Sequence, residues 1–273
     1  MTSLARTTVR DALDSALIAL TAVGIDTPRL DAEVLLAAAM GVDRAALIAD
    51  PGRGIEPEAA RAFQDFARRR TQREPVAYIL GVKGFRRLEL AVDPRVLIPR
   101  PETEHVVEAA LELPRGARVV DVGTGSGAIA LALADERPDL RVVGTDVSAD
   151  ALAVARANAA RLGLPVEFLQ GDLLDPVPGE INAVVANPPY VEVGSTLAPE
   201  IARHEPAVAL YGGEDGLDVY RRLAPAAAVA SFVAFEVPGW LAESVADLLR
   251  AEGFETDVIK DLAGIDRVVT GRR

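Results

Sequence analysis

Four consecutive residues, Asn187-Pro188-Pro189-Tyr190, carry the most specific chemical signal in this sequence. They follow the apolar run 181–186, which reads as a buried strand stopped by Asn-Pro. Two prolines fix φ and remove two backbone donors. The residue before a proline is pushed to extended geometry, so the Asn187 and Pro188 carbonyls stay out of any helix and remain available as acceptors. An amide oxygen, a free carbonyl and a phenol on one stiff turn suit a planar NH2 group. The two oxygens accept its two N–H bonds while the Tyr190 ring stacks on its face. A purely structural turn fits the same three residues Asn-Pro-Pro equally well, so the elements upstream decide between the two.

Those elements alternate strand and helix from residue 117 to 186, the pattern of a parallel, doubly wound α/β sheet. Arg118 to Val122 reads as a strand, followed by Gly123-Thr124-Gly125-Ser126-Gly127 and a helix over Ala128 to Glu136. A second strand, Val142 to Asp146, ends in an acid. Ser148 caps the helix Ala149 to Leu162, Gly163 ends it, and a third strand leads to Gly171-Asp172-Leu173. In open α/β sheets ligands bind at the carboxyl edge, where these residues fall. The glycine turn lets a ligand approach the backbone at a helix N-terminus. Asp146, nineteen residues past Gly127, is positioned for ribose hydroxyls.

A glycine turn after a strand is shared with dinucleotide-binding folds and is weak by itself. Here Asp121 stands two residues before the first glycine, and Asp172 adds a third carboxylate. Extra carboxylates disfavour a pyrophosphate. They suit S-adenosylmethionine, whose sulfonium, amino group, ribose hydroxyls and adenine amine all accept anionic or acceptor partners.

Residues 1–73 read as helices only, a small bundle with no chemistry of its own and a candidate for recognising a substrate protein. The stretch 74–100 reads as a hairpin linker, and 101–273 as the catalytic domain. Within Leu97-Ile98-Pro99-Arg100-Pro101-Glu102-Thr103-Glu104, two prolines hold Arg100 in place and Pro101 opens a helix. A plain linker fits that spacing as well as a functional arginine does.

The 273 residues are 50% hydrophobic, ample for a sizeable core. The net charge, 29 basic minus 41 acidic residues, is −12, which argues against a surface that grips nucleic acid along its whole length. Residues 61–100 alone carry ten Lys/Arg against four acids, a local +6 that reads as a solvated face or as a docking strip for an acidic partner. With no cysteine and two histidines, neither a thiol nucleophile nor a Cys- or His-based metal site is expected. The first twenty residues hold no long apolar run, so no signal peptide or membrane span is expected, and a cytoplasmic address is the default.

The chain resembles the release factor glutamine N5-methyltransferases. The resemblance covers roughly Asp26 to the end and rests on Leu30-Asp31-Ala32-Glu33, the run Arg73 to Gly81, the LIPRPETE segment and Asp121 to Ala134. It also includes Asn187 to Tyr190 and Gly212-Gly213-Glu214-Asp215-Gly216-Leu217-Asp218-Val219-Tyr220-Arg221. It implies a Rossmann-like, seven-stranded class I methyltransferase sheet and a monomer acting in translation termination. The implied reaction moves a methyl group from S-adenosylmethionine, leaving S-adenosylhomocysteine, to the glutamine of the Gly-Gly-Gln motif in class 1 peptide chain release factors. By the same resemblance Gly123 to Gly127 and Asp146 bind the cofactor, Asp172-Leu173 flanks the adenine, and Asn187 joins the cofactor and substrate sites. Asn187, Pro188, Pro189 and Tyr190 hold the substrate glutamine, with Asn187, Pro188 and Tyr190 as the catalytic set, and Arg100 shapes the rim. Neither a metal nor direct nucleic-acid binding is implied. Adenine-N6 nucleic-acid methyltransferases and ribosomal-protein glutamine methyltransferases share Asn-Pro-Pro-Tyr and form the alternative. One departure stands: where the family has Glu-Ile-Gly followed by Gln, this chain has Glu236-Val237-Pro238-Gly239-Trp240, and that segment is left out of the expected site.

Overall fold

The computed structural model describes residues 7–273. The chain divides into two compact units, one of Met1–Gly81 together with Ala198–His204, the other of Val82–Leu197 and Glu205–Arg273.

The first unit is helical: α1 (Val9–Ala22), α2 (Pro28–Met40), α3 (Arg44–Ala49), α4 (Pro57–Thr71) and α5 (Val76–Leu80), joined by the short helix Pro199–His204. Local chemistry sets the boundaries. Thr8 closes a capping box with Asp11 at the start of α1, proline opens α2 and α4, and Gly41 ends α2 in the left-handed conformation. Leu13, Leu20, Leu35, Leu36 and Phe63 meet in one core. The helical part runs past residue 73, because Pro75 starts α5 inside the stretch expected to be linker and Gly81 terminates it.

The basic run of residues 61–100 is largely neutralised from within. Arg68 pairs with Asp65, Arg69 with Glu74, Arg70 with Asp31 and Glu200, and Arg73 with Glu200. Arg86 pairs with Glu136, Arg87 with Asp135, Arg95 with Asp93, and Arg100 with Glu205. Only Arg61 and Lys83 of the ten make no ion pair among the described residues. The +6 of the sequence is therefore not a free field, since acids from distant positions fold onto it.

The second unit opens with a hairpin, β1 (Val82–Phe85) and β2 (Leu88–Ala91), whose turn holds Arg86 at φ +51°. A 3-10 turn at Pro101–Thr103 leads into α6 (Glu104–Ala110). Then follow β3 (Arg118–Val122), α7 (Ala128–Glu136), β4 (Arg141–Asp146), α8 (Ala149–Leu162), β5 (Glu167–Gln170) and β6 (Ala183–Ala186). Beyond α9, the Pro199–His204 helix, come α10 (Asp218–Ala226), β7 (Phe232–Glu236), α11 (Ala242–Ala251), β8 (Glu255–Lys260) and β9 (Asp266–Arg272).

The seven main strands form one sheet in the order β5-β4-β3-β6-β7-β9-β8. The first five are parallel, while β9 runs antiparallel between β7 and β8. Apolar cores fill both faces, which is why β6 reads as a continuous apolar run rather than an alternating one. The order reverses at β3, so the carboxyl ends of β3, β4 and β6 surround the crevice where such sheets take ligands.

Candidate active site

A cavity of about 220 Å³ opens on that carboxyl edge, lined in part by Gly123, Gly125, Asp146, Asp172, Leu173 and Asn187, with the two prolines after Asn187. A smaller cavity of about 50 Å³ adjoins it, bordered by Arg100, Thr103, Thr124, Ser126 and Asn187. Asn187 borders both, while Gly127 and Tyr190 border neither.

The glycine turn keeps its shape because Gly123, Gly125 and Gly127 all hold positive φ, at 71°, 57° and 84°. The N–H groups of Gly123 and Thr124 both donate to the Thr145 carbonyl at 2.9 Å, which ties the turn to the end of β4. At Gly127 packing also favours glycine: a Cβ there would lie 2.9 Å from a methyl of Leu131. Asp146 accepts from Gly125 N–H and Ser148 N–H, each at 2.9 Å. Its burial pushes the carboxyl above the usual range, against the pull of those N–H groups.

Asp121 differs from the expectation of a third acid on the ligand side. It borders neither cavity and is buried. Its Oδ2 accepts from Thr124 Oγ1 at 2.6 Å and from Ala130 N–H at 3.1 Å, so it braces the glycine turn against the first turn of α7. Oδ1 has no partner, and burial pushes the carboxyl up to about 7. The sequence gives a residue's place along a strand but not the direction of its side chain at the strand's end. Asp172 is half-buried and pairs with Arg222, and Leu173 holds φ +48° with its carbonyl accepting from Thr145 Oγ1 at 2.8 Å.

The Asn187 turn leaves β6 as its spacing predicts. Asn187 Nδ2 donates to Thr103 Oγ1 at 3.1 Å, leaving Oδ1 without a hydrogen bond among the described residues, as is the Pro188 carbonyl. Tyr190 is partly buried against the core cluster that holds Tyr220 and Phe235. The segment Gly212 to Gly216 backs the turn at close range. A Cβ on Gly216 would come within 2.4 Å of the Tyr190 carbonyl oxygen, and one on Gly212 within 2.5 Å of the Pro189 carbonyl oxygen. Gly212 N–H donates to Val191 O, and Val191 N–H to Leu210 O, so the two segments are laced together.

Arg100 donates to Glu205 Oε1 at 2.5 Å, and Glu205 Oε2 accepts from Ile98 N–H. The LIPRPETE segment is thereby pinned, and its 3-10 turn delivers Thr103, 4% exposed, to Asn187. Sequence reasoning did not single out Thr103 or Glu205, and it set aside the segment that begins with Glu236. Glu236, 4% exposed at the end of β7, has an unpartnered Oε2, and burial pushes its carboxyl up to about 7. Its place at a strand's carboxyl end was the available signal.

The lining fits a ligand with cationic and hydroxyl groups. Arg95 and Arg222 reach the larger cavity already paired with Asp93 and Asp172, whereas Asp146 faces it with no cationic partner. Among the described residues no group of three or more His, Cys, Asp or Glu could hold a metal ion, and no helix is long and apolar enough to cross a membrane.

Two family descriptions match the chain: PrmC N-terminal domain over residues 11–81 and Methyltransferase small domain over residues 103–209. Curated relatives include the release factor glutamine methyltransferase of Koribacter versatilis, 42% identical over 279 residues and spanning 97% of this chain and 99% of that one. The protein of the same name from Moorella thermoacetica is 44% identical over 273 residues, spanning 95% and 96%. Among solved structures, a methyltransferase from Pyrococcus furiosus has a TM-score of 0.53 at 19% identity, covering 68% of this chain and 88% of that one, a likeness of fold alone.

Proposed function

Because the chain belongs to the release factor glutamine methyltransferase family, whose members match it over nearly their whole length, we propose how its site methylates the side-chain amide nitrogen (N5) of a release factor glutamine. The observation that carries the reading is the pair of open acceptors at the cavity edge, Asn187 Oδ1 and the Pro188 carbonyl. These relatives do not favour the adenine-N6 or ribosomal-protein alternatives.

An amide nitrogen is a poor nucleophile, since its lone pair is delocalised into the carbonyl. Two acceptors on its N–H bonds raise its electron density and stabilise the positive charge that develops as its bond to the methyl carbon forms. Pro188-Pro189 and the Gly212–Gly216 segment hold those acceptors still, so they need no reorganisation during reaction. Tyr190, next on the turn, is the candidate to flank the amide plane.

Asp146 would hold the ribose hydroxyls of S-adenosylmethionine, with Gly123 to Gly125 beside its amino-acid part and Asp172-Leu173 beside its adenine. When bound, S-adenosylmethionine supplies the electrophilic methyl group, whose bonding electrons return to sulfur. The amide proton then departs from a strongly acidic N-methylated nitrogen, so the chain needs no dedicated base. The glutamine of a Gly-Gly-Gln motif in class 1 release factors is the proposed acceptor, and the helical unit is proposed to position that protein.

Asn187→Ala should lower turnover by about 10²–10³-fold, the scale of one preorganised electrostatic partner, while S-adenosylmethionine affinity changes far less. Transfer of labelled methyl to a release factor, followed by peptide mass mapping, reads both the rate and the modified residue. Undiminished turnover in the variant would return Asn187 to a structural turn, and label on any residue other than the glutamine would overturn the acceptor assignment.

A further inference from the structure

We propose that Glu200 is a positioning residue for methyl transfer into a folded protein, tying the segment that follows the Asn187–Tyr190 turn to the helical unit. That role rests on the reading above in which the helical unit positions the release factor, and it names a side chain that passes the position on.

The helical unit is not continuous in sequence, since Ala198–His204 belong to it while the residues on either side belong to the other unit. That piece lies within a loop that begins and ends beside the substrate turn. Val191 N–H donates to Leu210 O at 2.8 Å and Gly212 N–H to Val191 O at 2.9 Å, so the loop is closed at its base immediately after Tyr190. Its outgoing arm, Glu192 to Thr196, is exposed, and α9 beyond it is six residues long with none of them buried. A helix that short has little stability of its own, and without apolar burial its polar side chains must anchor it.

Glu200 does so. Its Oε1 accepts from Arg70 Nη2 and its Oε2 from Arg73 Nη2, each at 2.9 Å. All three side chains are largely buried, so solvent ions screen these pairs little. Arg70 is itself fixed by Asp31 Oδ2 at 2.7 Å, and Asp31 Oδ1 by the Thr27 hydroxyl at 2.9 Å. Arg73 donates to Val23 O at 3.0 Å, yet its Nε is buried with no partner among the described residues, and its backbone is left-handed at φ +67°. An arginine kept in a strained conformation with one donor unmet is held there for what its other nitrogens reach, and one of them reaches Glu200.

Glu205, just past α9, makes a second tie. Its two oxygens accept from Arg100 and from Ile98 N–H, on the segment whose Thr103 meets Asn187. The two carboxylates bracket α9, so a release factor held by the helical unit has its position relayed along that helix toward the acceptor pair. Without the Glu200 tie, the link from Gly81 to Val82 is left to carry that position. Misplacing the glutamine by about an ångström is enough to cost turnover.

The test is steady-state methylation of an intact release factor and of a short Gly-Gly-Gln peptide by wild type, Glu200→Gln, and the charge-balanced combination of Glu200→Gln with Arg73→Gln. Calorimetry adds the S-adenosylmethionine affinity of each. Glu200→Gln should lower kcat on the intact factor by about 10–100-fold, with KM for that factor within about threefold of wild type. Turnover of the peptide and S-adenosylmethionine affinity should stay near wild type, because the helical unit does not hold a peptide. The double variant should lose no more than Glu200→Gln, since both changes break one tie. Full kcat on the intact factor, an equal loss on both substrates, or a raised KM with full kcat overturns the proposal; the second outcome makes Glu200 a support of the fold, and the third a docking contact. If Glu200→Gln does not fold, the double variant decides by the same readings, and if neither folds, Glu200 is structural and the proposal falls. A wild type that transfers no methyl to the factor's glutamine sinks the functional reading itself, whereas full activity of Glu200→Gln on that glutamine sinks the tie alone.

Discussion

Two carboxyls at the ends of neighbouring strands do different work because their surroundings differ. Asp146 faces the larger cavity and retains lone pairs beyond those used by Gly125 and Ser148. Asp146→Ala should therefore weaken S-adenosylmethionine binding by about 1.5–3 kcal/mol, the worth of a hydrogen bond to a charged group. Binding calorimetry measures it, and an unchanged dissociation constant in a folded variant would remove Asp146 from the site. Asp121 acts on stability instead. Its carboxyl, pushed up to about 7 by burial, holds a proton in the folded chain that the unfolded chain has already released above its ordinary value of 3.8. Stability therefore falls as pH rises from about 4 to about 7, by roughly 1.4 kcal/mol per pH unit for such a group, and then levels off. Asp121→Asn does not titrate, so its Tm relative to wild type should climb between about pH 4 and pH 7 and then level off. A gap independent of pH would mean that Asp121 is ionised throughout.

The element that makes the site stiff is a pair of segments packed backbone to backbone. Gly216 holds φ +75° and leaves no room for a side chain beside the Tyr190 carbonyl. Gly216→Ala should push the Asn187–Tyr190 turn aside and lower kcat by about 10²-fold, as displacement of reacting groups by an ångström does. The glycine turn after β3 is untouched, so S-adenosylmethionine binding should survive. Kinetics and calorimetry on the same preparation separate the two effects, and full kcat would show that the segment does not hold the turn. The LIPRPETE segment is held from both ends of its turn: Arg100 is paired with Glu205, and Thr103 accepts from Asn187 Nδ2.

Across the whole molecule, the larger cavity belongs to one unit alone. Every residue lining the larger cavity lies between Arg95 and Leu223 in the second unit. Removing residues 1–81 should leave S-adenosylmethionine binding within a few-fold of wild type. Methylation of an intact release factor should fall at least tenfold, and that of a short Gly-Gly-Gln peptide much less, because one side chain offers too few contacts to select a single site in a folded protein. Rates on both substrates check it: equal retention would remove the helical unit from partner recognition, and lost cofactor binding would make the two units one folding entity. Since Arg68 to Arg73 are already paired with acids of their own unit, the basic run cannot supply strong long-range steering, and the salt dependence of the rate should be shallow.

The sequence by itself determined the helical start, the order of strands and helices from Arg118 to Ala186, the glycine turn, and the Asn187–Tyr190 turn. All of these rest on local chemistry: caps, prolines, positive-φ glycines and runs of apolar residues act within a few positions along the chain. The helix α5 escaped because five residues between Pro75 and Gly81 are too few to show a period. Tertiary structure alone decided which way side chains point and what they meet. It turned Asp121 inward, placed Glu200 on Arg70 and Glu205 on Arg100, and joined Thr103 to Asn187 across 84 positions of chain. It also determined that most of the basic run is neutral in effect. Charge, burial and a free lone pair are properties of neighbours in space, and no spacing along the chain encodes which neighbours the sheet will bring together.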